Sequence, residues 1–69
     1  MITIGEAMKK ARLDKGYSRN TLSFKALISI QNISNWEAGR AYPNIINLIS
    51  IADALNISLD ELVGRTVRG

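Results

Sequence analysis

A chain of 69 residues makes one small domain, with no room for a separate ligand or catalytic domain. It contains neither cysteine nor histidine, which excludes disulfides, thiolate chemistry, the commonest metal ligand and the usual neutral-pH base. The net charge of +3 is unevenly placed: residues 1–40 hold seven basic and three acidic groups, residues 41–69 two and three, so the positive half is the one suited to a polyanion.

Thr3-x-x-Glu6 is a capping box that starts a first helix. Ile4, Met8 and Ala11 follow on one face, and the helix is expected from about Ile4 to Lys15. Gly16 closes it, because glycine accepts the left-handed conformation of a C-cap. Ser18 caps a second helix with Leu22 and Ala26 on its inner face. Ser29 caps a third, in which Ile33 and Trp36 point one way while Gln31, Ser34, Asn35 and Ala38 point roughly the other. Two short helices joined by a tight turn form a helix-turn-helix, whose second helix enters the major groove of DNA.

The outward face of that third helix carries amides and no lysine or arginine. A Gln or Asn side chain donates and accepts at once and so pairs with adenine N6 and N7, at about 1–3 kcal/mol of discrimination. Ile30 suits a thymine methyl. Polarity alone favours an ordinary solvated face; the neighbouring pattern reverses that in favour of recognition.

Pro43 favours an extended Tyr42, and Asn44 caps a fourth helix from about Ile45 to Leu55. Leu48, Ile51, Ala52 and Leu55 make its core stripe, and Ile45 extends it. Ile46 and Ile49 point sideways, to cover the motif helices or to form an interface. Ser58-x-x-Glu61 is a second capping box, starting a short helix through Leu59 and Leu62 that Gly64 closes. No apolar run approaches the roughly eighteen residues of a membrane span. No charged region followed by an apolar one marks a signal peptide, so a cytoplasmic location without membrane association is expected.

Taken in register, these residues carry a resemblance: Arg12, G-Y-S at 16–18, Leu22, Ser29, Ile33, W-E at 36–37, G-R at 39–40, Pro43, and L-x-x-I-A-x-A-L-x-I-S-x-D-x-L from Leu48 to Leu62. From about Ile4 to Leu62 the chain resembles the lambda-repressor/Cro-like, or Xre, helix-turn-helix family. The resemblance implies an all-α, compact five-helix DNA-binding domain with its helix-turn-helix at helices 2 and 3. It would span residues 1–64, with 65–69 as a short flexible tail. It implies sequence-specific binding of double-stranded DNA by a small transcriptional regulator, of the repressor kind, with a recognition helix at about 29–38. Ser29, Ile30, Gln31 and Asn35 match the family's base readers. Arg19, Asn32, Ser34 and Arg40 are assigned to the DNA backbone. Arg12 and Glu37 are expected to meet in a largely buried ion pair tying helix 1 to the recognition helix. Ile57, Leu59, Val63 and Val67 are the apolar groups expected at a homodimer contact on DNA.

Two positions depart from the family. Leu27 stands where glycine is usual, at a turn that tends to need positive φ, so either leucine takes the strain or the turn is built differently. Phe24 stands where a polar residue is usual. It is expected to lie flat against Leu27 or Tyr17, the alternative being a contact for a partner. These departures leave a second reading open, a protein-interaction module of the same fold (an antitoxin or anti-regulator) acting through Phe24, Ile46, Ile49 and the C-terminal apolar groups. An enzyme is not expected, nor a metal, cofactor or small-molecule ligand. Asp60 and Glu61 are adjacent on a helix and diverge, so they form no catalytic pair.

Overall fold

Three side-chain caps set the helix boundaries at the N-terminal half of the chain, and two more do so in the C-terminal half. The computed structural model describes residues 3–62. The expectations placed on Val63, Gly64, Val67 and the tail at 65–69 lie outside the described residues. Within them are five helices and no strand: α1 Ile4–Asp14, α2 Arg19–Ala26, α3 Ile30–Glu37, α4 Ile45–Leu55 and α5 Leu59–Leu62.

Thr3 Oγ1 accepts from the Glu6 N–H at 3.1 Å, and the Thr3 N–H donates back to Glu6 Oε1 at 2.8 Å. That backbone N–H, with the Thr3 hydroxyl contact second, holds the Glu6 carboxyl below its ordinary pKa. Ser18, Ser29 and Asn44 each accept from the backbone N–H three residues on, at 3.0, 3.2 and 2.8 Å. Ser58 and Glu61 exchange both bonds of their box. Each such cap stabilises its helix by about 1 kcal/mol.

Met8, Leu22, Ile33, Ile51, Leu55 and Leu62 are fully buried, one or more from every helix. Side chains of this size contribute about 1.5–3 kcal/mol each on burial. Around them α1 packs on α3, α4 and α5, and α2 packs on α3 and α4. The motif helices α2 and α3 are thus held from behind by a frame that leaves their other side open.

The turn between them uses leucine in the left-handed conformation. Leu27 has φ 59° and ψ 44°, so the strain is accepted and the turn keeps the shape that glycine would give it. Its N–H and that of Ile28 both donate to the Ser23 carbonyl, and the Ser23 hydroxyl donates to the Ile28 carbonyl. Leu27 buries almost nothing in return, being 89% exposed.

Two apolar side chains differ from expectation. Phe24 does not lie flat on Leu27 or Tyr17 but is 81% exposed; one face of the Tyr17 ring is taken instead by the Lys25 ammonium, 5.3 Å from its centroid. Ile45 does not extend the core stripe. It is the first residue of α4 and exposed, because a helical side chain leans toward the N-terminus and here that direction leads out of the body. Ile46 and Ile49, expected either to cover the motif helices or to form an interface, are exposed.

Candidate nucleic-acid interface

Two close contacts fix α3 against α1. The first is steric. A Cβ built on Gly5 would stand 2.2 Å from the Trp36 carbonyl oxygen and 3.0 Å from that of Glu37, so only glycine lets the backbones approach this closely. The second is ionic. Arg12 Nε donates to Glu37 Oε2 at 2.8 Å and its Nη2 to Oε1 at 3.1 Å, while Nη1 donates to the Tyr17 carbonyl at 2.9 Å. The side chains are 7% and 2% exposed. Among the described residues no buried side-chain polar atom lacks a partner, the condition under which a buried pair is tolerated. Arg12 and Glu37 are the two residues that the family resemblance pairs.

With Ile33 and Trp36 buried behind it, α3 turns Ile30, Gln31 and Asn32 to solvent and leaves Ser34 and Asn35 half-buried at the edge. Gln31 and Asn32 therefore stand clear of the protein's own packing, and Asn35 does so only in part. The Ser29 hydroxyl accepts from the Asn32 N–H and keeps its proton and a second lone pair for another partner.

The two arginines assigned to the backbone are not loose charges. Arg19, the first residue of α2, donates from Nε to Glu37 Oε1 at 3.1 Å. Glu37 thus receives two guanidinium groups, one buried and one 44% exposed. Arg40, in the loop after α3, donates from Nε to Asn35 Oδ1 at 3.2 Å. Lys9, Arg19, Ser34, Glu37, Ala38 and Arg40 line one open cleft of about 420 Å3 where α1, α2 and α3 meet.

Of the groups expected at a dimer contact, Ile57 packs partly against the core and Leu59 is exposed; Val63 and Val67 lie outside the described residues. Sequence reading missed Gly5, Lys9 and the Arg19–Glu37 bond. Gly5 carried a signal, since an isolated glycine inside a helical pattern usually marks close packing. Lys9 and Arg19 carried none, because only the packing of α1, α2 and α3 together brings them to one place. Among the described residues no cluster of His, Cys, Asp or Glu gathers to hold a metal, and no helix is long and apolar enough to cross a membrane.

Comparison with known proteins agrees with this geometry. A helix-turn-helix family model matches residues 8–62. The chain is 50% identical over 38 residues to the cryptic phage CTXphi transcriptional repressor RstR of Vibrio cholerae, covering 55% of this chain and 34% of that protein. Two further curated relatives are covered over 57% and 50% of their lengths, so the chain spans between a third and somewhat more than half of these proteins. Among solved structures, the P22 c2 repressor in complex with a synthetic operator superposes with a TM-score of 0.84 at 28% identity, covering 91% of this chain and 96% of that one. The restriction-modification controller protein C.AhdI from Aeromonas hydrophila gives 0.83 at 29% identity, covering 86% and 89%.

Proposed function

The chain belongs to the lambda-repressor/Cro-like helix-turn-helix family of transcriptional regulators, and from that premise we propose that it binds double-stranded DNA sequence-specifically, as a repressor. The observation that carries this reading is the outward amide face of α3, with Gln31 exposed and Asn35 at its edge while Ile33 and Trp36 anchor the helix from behind. Ser29, Ile30, Gln31 and Asn35 read base edges. Arg19, Asn32, Ser34 and Arg40 hold phosphates and set the register. The recovery of a repressor–operator complex among the structural neighbours supports the same docking.

One copy has few phosphate contacts, so two copies related by a two-fold axis would meet half-sites about 34 Å apart. Exposed Leu59 supports a contact through the C-terminal end of the domain. The protein acts in the cytoplasm, where its target lies, and performs no catalysis. Selecting bound sequences from a random duplex pool tests the sequence-specific binding and the two-fold arrangement together. The expected product is a motif with two-fold symmetry, and recovery of an unenriched pool refutes sequence-specific binding.

The exposure of Phe24 and Ile46, at 81% and 69%, favours one second reading. The same fold would then act as an antitoxin or anti-regulator by binding a protein. Tight capture of a protein partner, together with silence toward every duplex at low salt, would select it.

A further inference from the structure

The cleft between α1 and α3 joins a buried acid to three exposed cations, and resting on the DNA-binding reading the geometry points to a role for that acid: Glu37 is a positioning residue that aims Arg19 at one DNA phosphate, which Lys9 of α1 shares. Among the described residues Glu37 is the only carboxylate lining the cleft. Its side chain is 2% exposed and pinned at both oxygens by Arg12, so it offers a fixed acceptor at the floor. Arg19 donates to it through Nε alone. A guanidinium held at Nε keeps its two terminal amino groups for another acceptor, and their planar fork matches two phosphate oxygens. Arg40 is tethered at Nε in the same manner, to Asn35. Lys9 makes no ion pair among the described residues, whereas its neighbour Lys10 is paired with Asp14. An acid placed beneath cations that meet a polyanion would, by charge alone, weaken the contact. Its use here is orientation, since a side chain fixed in place loses less freedom when it binds.

That opposition gives the test. Purified chain carrying Glu37→Gln, Arg19→Ala, both, Arg19→Lys or Lys9→Ala is titrated with a random-sequence duplex across a salt series, with circular dichroism confirming the fold. Charge alone predicts tighter binding by Glu37→Gln. Positioning predicts weaker binding, about two- to tenfold, and no further loss when Glu37→Gln is added to Arg19→Ala. If Glu37→Gln does not fold, Arg19→Lys decides, because lysine keeps the charge and cannot form the fork. A loss of similar size at unchanged salt slope supports the assignment, and wild-type binding overturns it. Lys9→Ala should flatten the slope by about 0.9, and an unchanged slope removes Lys9 from the contact. Folded Glu37→Gln that binds as well as or better than wild type overturns the positioning role while leaving DNA binding intact. A wild-type chain that binds no duplex overturns the DNA-binding reading, and this assignment with it.

Discussion

Arg40 donates from Nε to Asn35 Oδ1 at 3.2 Å, which couples a side chain assigned to the DNA backbone to one assigned to a base. Arginine has no acceptor, so the amide atom facing it must be the oxygen. The amino group of Asn35 then faces away and offers two donors, suited to acceptors such as guanine O6 and N7 as well as to adenine N7. Arg40→Ala should therefore do more than weaken every duplex alike. It should flatten the salt slope by about 0.9 and also change the base preferred opposite Asn35. Sequence selection with the variant checks this, and an unchanged motif would mean that the two residues act independently.

Gln31 has no such tether among the described residues and lies exposed on the same face. Gln31→Ala should lower affinity for the selected site by about 1–3 kcal/mol while leaving random duplex unaffected. Equal losses on both, measured by fluorescence anisotropy, would rule out base reading by this residue.

Gly5→Ala should destabilise the fold by about 1–3 kcal/mol. The added methyl would meet backbone, the Trp36 carbonyl at 2.2 Å, and not the flexible end of a side chain. Urea unfolding measures the change, and a variant as stable as wild type would show that α1 and α3 can separate without cost.

Leu27→Gly should stabilise by about 1 kcal/mol. The left-handed backbone at φ 59° costs leucine and not glycine, and a side chain 89% exposed has little burial to lose. Thermal melts read this directly, with DNA affinity expected to stay unchanged.

Acid should erode the start of α1. The Glu6 carboxyl is held below its ordinary pKa of 4.5 by the Thr3 N–H, so its stabilising effect is complete above that ordinary value and fades as the pH falls through the lower folded value. The stability difference between pH 7 and pH 3 should shrink in Glu6→Gln, as followed by urea midpoints.

The helices were legible because each announces its start with a side chain that can cap: Thr3, Ser18, Ser29, Asn44 and Ser58 all do so in the structure. The α3 face was legible from period alone, since Ile33 and Trp36 lie on one side of any helix drawn through them. The Arg12–Glu37 pair came from family resemblance, as did the assignment of Arg19 to phosphate. What stayed hidden depends on relations between helices. No local pattern says that Arg19 and Arg12 share one carboxylate, or that Lys9 faces their cleft. Ile45 was misplaced for a related reason: periodicity gives a direction around the axis but not how far along it the body of the protein extends.

The contact at Gly5 leaves α3 almost no freedom to tilt or slide, because its carbonyls already touch another helix's main chain. Divergence in target sequence must then come by exchanging side chains at positions such as 30, 31 and 35, with the chassis unchanged. A graft of those few residues from a relative should carry its preference across intact, with no accompanying repairs to the interior.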